Sequence, residues 1–265
     1  MTKFRVNKTK HVDQTKTVSF NFDGKSYHGF DGDTLASALL SNGVHLVGRS
    51  FKYHRPRGIM SCGSEEPNAI CQINEDTDLT EPNVRATEIE LYEGLKASSQ
   101  NCWPSVNFDI GGINNFISPF IPAGFYYKTF MWPKSFWKKI YEPLIRWSAG
   151  LGKSPTKPDP ELYDHKHVHC DVLIIGGGIS GIIASKIAAK NNLRTILIED
   201  KNILGGSTIF QKNENYKINN KYSSEWLDEE IAELQKLDNL TIKTRTSLAA
   251  YHSYNYLLAK ENISD

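Results

Sequence analysis

Three glycines set the chemistry open to this chain. Gly176, Gly178 and Gly181 stand at G-x-G-x-x-G spacing in Gly176-Gly177-Gly178-Ile179-Ser180-Gly181, between a β-rich apolar run (170–175) and a helical stretch (180–190). Alone the spacing is weak evidence; directly after a strand and at the start of a helix it is where a dinucleotide turn belongs. Gly176 permits the sharp turn, Gly178 has no side chain to block a pyrophosphate, and Gly181 lets the helix pack close to the strand. Free N–H groups and the positive end of the helix dipole then face the phosphates. Glu199 ends a second β-rich run (194–199), about 20 residues on, where a carboxylate accepts hydrogen bonds from ribose hydroxyls. Its charge disfavours a 2′-phosphate, so NAD or FAD is expected over NADP, and Lys201 weakens that exclusion without cancelling it. Gly205-Gly206-Ser207 can bring its backbone to the same dinucleotide or be a plain turn. The bland alternative for the whole motif is a glycine-rich turn that binds nothing.

Other reactive residues make weaker patterns. Cys62, Cys71, Cys102 and Cys170 are scattered with no C-x-x-C pair, whereas zinc and iron–sulfur sites need ligands a few residues apart. His165, His167 and His169 alternate along Asp164–Cys170 in sequence, on one face if that stretch is extended, yet an entry strand to the sheet is the better expectation. Glu65-Glu66 resembles a catalytic carboxylate pair, but neighbours in sequence rarely face one substrate. Salt bridges to Arg55 and Arg57 are expected instead. No Ser/His/Asp arrangement can be argued, and no catalytic residue is assigned.

The glycine turn requires a strand, a helix and a second, parallel strand, which residues 170–175, 180–190 and 194–199 supply as continuous apolar runs expected to be buried on both sheet faces. A helix at 224–237 and a strand at 240–246 follow, then strand-like sequence to the end. Too few strands remain for a complete dinucleotide-binding domain, so residues 167–265 are expected to be an incomplete Rossmann-type domain and the chain a truncated one. Residues 1–100 read differently. Thr17-Val18-Ser19-Phe20-Asn21-Phe22 and Lys25-Ser26-Tyr27-His28-Gly29-Phe30 flank Asp23-Gly24, a strong hairpin signal. Asp33 or Thr34 can cap a short helix that Gly43 ends, and 69–73 and 86–91 read as further strands. This is a β-grasp-like α+β pattern. Between the two, residues 101–166 are rich in aromatics and prolines, with a helix expected at 135–149 and a linker at 153–160. Such a segment either lies on its own domains or forms an interface with a partner chain.

Charged residues make up 23% of the chain and the net charge is +1, which gives no case for nucleic acid or a membrane as partner. Without an apolar leader at the N-terminus, a reducing, cytoplasmic setting is expected.

Residues 125–133 (FYYKTFMWP), 55–68 (RPRGIMSCGSEEPN) and 172–181 (VLIIGGGISG) resemble segments found in the same order in the alpha subunits of heterotetrameric sarcosine oxidases. The resemblance spans nearly the whole chain, and the aromatic segment is its most specific part. It implies an oxidoreductase that demethylates sarcosine to glycine together with beta, gamma and delta subunits. NAD would lie on the fold read here, FAD in the beta subunit, FMN between the two, and tetrahydrofolate at a C-terminal domain of a much longer alpha chain. Carried over by position, NAD contacts would be Ser180, Glu199, Asp200, Lys201 and Ser207, with a loosely aligned one at Leu248. Relatives of the first domain hold a [2Fe–2S] cluster at C-x4-C-x2-C spacing. Centred on Cys62, that pattern puts Arg57 and Glu65 at ligand positions, so a clusterless ferredoxin-type domain without iron is expected.

Overall fold

The hairpin signal at Asp23-Gly24 is realised in full. In a computed structural model describing residues 4–5, 11–75, 77–128, 130–210 and 217–263, strands β1 (Asp13–Phe22) and β2 (Lys25–Asp31) pair antiparallel with Phe22 opposite Lys25. Asp23 and Gly24 both take positive φ (49° and 75°), the backbone twist that a two-residue turn needs to match its strands. Helix α1 (Leu35–Ser41) begins at Thr34, whose hydroxyl accepts from the Ser37 N–H while Ser37 caps Thr34 in return. Its end comes at Asn42, followed by Gly43 in the left-handed region (φ 77°).

The remaining strands of this part are β3 (Gly48–Arg49), β4 (Pro56–Arg57), β5 (Ile70–Ile73), β6 (Glu81–Arg85) and β7 (Lys96–Ser99). The principal sheet has the order β2-β1-β7-β5-β6, with β7 parallel to β1 and the other neighbours antiparallel. Phe20, Phe22, Leu35, Leu39, Val47, Cys71 and Leu95 are buried between sheet and helix. One expectation is corrected here, and one strand has no counterpart among the expectations. Residues 86–91 form a turn rather than a strand, because Ala86 and Leu91 are buried as anchors whose N–H groups bond Ala69 and Asp33 in succession, not one partner strand. Strand β7, with a single apolar residue among Lys96-Ala97-Ser98-Ser99, gave no alternating pattern to read.

Residues 101–162 belong to the same compact unit as the sheet (1–162), and 163–265 form a second. After the short helix α2 (Phe125–Lys128), the helix expected at 135–149 is present as α3 (Lys134–Phe136), a π-helical turn (Trp137–Tyr141) and α4 (Glu142–Ser148). Pro143 falls at the start of α4, where its missing N–H costs little.

In the second unit, β8 (Val172–Ile175), α5 (Ile179–Lys190), β9 (Thr195–Ile198) and β12 (Leu240–Lys243) give a parallel sheet of order β12-β9-β8. The pair β10 (Lys217–Ile218) and β11 (Lys221–Tyr222) leads into α6 (Ser223–Leu234). Strands β13 (Thr246–His252) and β14 (Tyr256–Glu261) form a hairpin. Ile182, Leu197, Leu204, Trp226, Leu227 and Leu234 make the core. Only the central strand β9 is buried through most of its length; β8 is an edge strand, half-buried with Ile175 exposed, so its apolar run does not mean burial on both faces. The His165–His169 stretch has no regular structure and is exposed, not an entry strand.

Candidate functional site

The glycine turn joins the end of β8 to the start of α5, and its glycines differ in what the fold asks of them. Gly176 takes φ +96°, a conformation that side-chain-bearing residues avoid. A methyl on Gly181 would lie 1.8 Å from the Gly176 carbonyl oxygen, so the helix sits against the turn as closely as backbone permits. A methyl on Gly178 would meet nothing within 4 Å, and one on Gly176 likewise. The turn therefore presents open space where a ligand's phosphates can approach the N–H groups of Ile179, Ser180 and Gly181, in the first turn of a 12-residue helix.

A second loop closes one side. The Gly205 N–H bonds the Gly177 carbonyl at 2.8 Å, and a methyl on Gly206 would stand 3.1 Å from Gly178 Cα. Gly206 takes φ 53° and opens the 3-10 turn Gly206–Phe210, which carries Ser207 beside the glycine turn. Within that turn the Thr208 hydroxyl is buried with no hydrogen-bond partner. Sequence spacing puts Gly205-Gly206 after β9 but could not show that its carbonyl partner is Gly177.

Glu199 follows β9 and is buried. One carboxylate oxygen accepts from the Gly177 N–H at 2.5 Å and the other from the Lys201 N–H at 3.0 Å. Burial pushes its carboxyl up to about 6, with Asp200 beside it pushing the same way; the two backbone donors pull it back. Its own backbone is pinned by the third strand and the hairpin, since its N–H bonds Lys243 O and its carbonyl accepts from Thr246. Asp200 is exposed, and the Lys201 ammonium stands 4.9 Å over the Phe210 ring. Gly176, Gly178, Ser180, Gly181, Glu199, Gly206 and Ser207 thus lie on one connected set of turns. Leu248 is half-buried on β13, the strand whose first residue, Thr246, donates its N–H to the Glu199 carbonyl.

The first unit offers a different kind of anion site, already filled. Glu66 is buried and accepts from four backbone N–H groups, those of Met60, Ser61, Asn68 and Ala69, at 2.6–3.1 Å. Burial raises its carboxyl, but these four donors outweigh it and the net shift is downward. The expected salt bridge to Arg55 or Arg57 is corrected: Arg55 bonds Asn115, and Glu66 organises its own loop. Cys62 is exposed on that loop, while Cys71 is in the core with its thiol pushed up to about 12 by burial. Among the described residues no three His, Cys, Asp or Glu side chains gather where they could hold a metal, and no helix is long and apolar enough to cross a membrane.

Comparison with known proteins places both units. Residues 15–102 match the family described as a 2Fe-2S iron-sulfur cluster binding domain, and residues 171–260 match FAD dependent oxidoreductases. The chain is 46% identical over 263 residues to the sarcosine oxidase subunit alpha of Rhizobium meliloti (strain 1021), covering 99% of this chain and 26% of that one. It is 29% identical to the same subunit of Corynebacterium sp. (strain P-1), over 94% of this chain and 21% of that one. The fold is also that of an L-proline dehydrogenase from P. horikoshii, with a TM-score of 0.54 at 20% identity, over 98% of this chain and 39% of that one. The resemblance to sarcosine oxidase alpha subunits therefore holds along the whole chain, which spans about a quarter of the length of these relatives. The first match corrects the expectation of a clusterless domain without iron: residues 15–102 are similar to a family described by 2Fe-2S cluster binding.

Proposed function

We propose that this sarcosine oxidase alpha-type chain is the dinucleotide-holding part of an oxidoreductase subunit that acts on CH–NH donors. The observation that carries the proposal is the open space over Gly178, bounded by the first turn of α5 on one side and by Gly205-Gly206 on the other. The pyrophosphate would lie over Gly176–Gly178 with the Ser180 hydroxyl and the α5 N–H groups as donors. Ser207 and the orphaned Thr208 hydroxyl would face it from the second loop. Glu199 would take the adenosine ribose hydroxyls, with Asp200 and Lys201 at the rim and Leu248 an apolar contact farther along. The sheet order β12-β9-β8 is that of the first half of a Rossmann-type domain.

The dinucleotide is assigned as NAD, on the resemblance to sarcosine oxidase alpha subunits. A second reading places FAD on the same turn, favoured by the family description matched by residues 171–260. Either supplies redox chemistry when bound, and the chain's own residues bind and orient it. The reaction proposed for the assembled enzyme is oxidative demethylation of sarcosine to glycine in the cytoplasm, with beta, gamma and delta subunits, FAD and FMN. Tetrahydrofolate would accept the one-carbon unit through a part of the alpha subunit that this chain does not span. Acid release of small molecules from the purified complex, identified by mass spectrometry, tests the assignment. NAD with FAD and FMN supports it; FAD as the sole dinucleotide favours the second reading, and no dinucleotide refutes both. Iron quantified on the same sample reports directly on the ferredoxin-type domain.

A further inference from the structure

The helical segment 134–148 carries its apolar stripe on the outside. Phe136, Ile140, Leu144 and Trp147 recur every three or four residues, so they share one side of the helix. All four are exposed, Leu144 at 58% and Trp147 at 75%, and Trp132 just before the helix is 82% exposed. Tyr141 and Ile145, by contrast, are only half-exposed, and the Tyr141 hydroxyl bonds the Trp132 carbonyl. An amphipathic helix normally buries such a stripe against its own domain. Here Phe136 leans on Tyr141, while the Leu144–Trp147 end of the stripe and Trp132 are left largely uncovered within the unit that carries them.

The charges around the stripe are of one sign. Lys128, Lys134, Lys138, Lys139 and Arg146 face a single acidic residue, Glu142, which pairs with Arg146. The four lysines have no carboxylate partner among the described residues. An occupant of this face therefore needs an apolar groove and a surplus of carboxylates. A second copy of this chain does not meet that need, because a two-fold contact would set these lysines against the same lysines.

We propose that residues 132–147 dock another subunit of the same enzyme, one presenting an apolar groove rimmed by Asp and Glu. The proposal rests on the subunit reading above. Trp132 and Trp147 act as the buried anchors, the residue type that dominates interface energetics, and the lysines steer and orient the encounter. Unlike the bland connector reading, this gives the segment's aromatic content a use.

The test uses the full chain co-expressed with the candidate beta subunit, with the dinucleotide content of each sample measured separately. Backbone hydrogen exchange should slow across 132–148 on complex formation. Leu144→Asp with Trp147→Asp should weaken the complex at least tenfold at unchanged melting temperature, since both side chains are already exposed. Lys134→Glu with Lys138→Glu and Lys139→Glu should weaken it in a salt-dependent way. Wild-type affinity in these variants, no change in exchange over 132–148, or no complex at all would overturn the proposal. So would loss of the face on anionic phospholipid vesicles, or self-association through it. Normal dinucleotide content in such a case leaves the glycine-turn reading standing, and absent dinucleotide with intact docking sinks only that reading.

Discussion

Gly178→Val separates ligand binding from folding. Gly178 has φ −72° and ψ −175°, an extended conformation that valine adopts readily, and its Cβ direction is empty to 4 Å. The folded state therefore loses little: valine is a poorer helix N-cap than glycine, worth about 1 kcal/mol. The ligand loses much more. The methyls would fill the space over the turn and hold a pyrophosphate off the N–H groups of α5. Hydrogen bonds to charged groups contribute about 1.5–3 kcal/mol each, so losing two costs roughly 3–6 kcal/mol. That is about a 150-fold to 25,000-fold rise in Kd. Calorimetric titration of wild type and variant with NAD and with FAD, beside thermal melts of both, measures the two effects independently. Binding within a few-fold of wild type in a variant that melts normally would refute the pyrophosphate placement.

Gly181→Ala should do the reverse, destabilising the second unit by about 1–3 kcal/mol or more, because its methyl would overlap the Gly176 carbonyl; chemical denaturation measures it, and an unchanged midpoint would contradict the close approach. Glu199 has a folded-state value of about 6, raised from 4.5, so the folded protein binds more protons than the unfolded chain between these values. Its contribution to stability is greatest below pH 4.5 and is lost as pH rises through 6. The stability difference between wild type and Glu199→Gln should accordingly fall across that window, and a pH-independent difference would refute the shift. Glu66 is shifted down, so its contribution is present above pH 4.5 and lost as pH falls through the folded value. Glu66→Ala leaves four backbone donors without their acceptor and should cost about 3 kcal/mol or more in urea denaturation at pH 7.

The parts of the fold legible in the sequence are those in which one local rule suffices. Asp23-Gly24 between alternating strands specified its own hairpin, and Gly176 to Gly181 specified a strand, a turn and a helix. Strand β7 was not legible because its pairing with β1 and β5 is set by the sheet and not by its own side chains. Glu66 departs from its expected role for a related reason: an acidic residue beside arginines suggests an ion pair, whereas loop closure turns it toward backbone N–H groups. At the candidate site the glycines and Glu199 were readable from spacing. The contact of Gly205 with Gly177 was not, because it depends on how the loop after β9 folds back.

The most direct test of the dinucleotide assignment is a crystal structure of the enzyme grown with NAD. The account predicts a pyrophosphate over Gly176–Gly178, within hydrogen-bond distance of the first N–H groups of α5, and the Glu199 carboxylate on the adenosine ribose. A dinucleotide bound elsewhere, with the space over Gly178 left open, would contradict it.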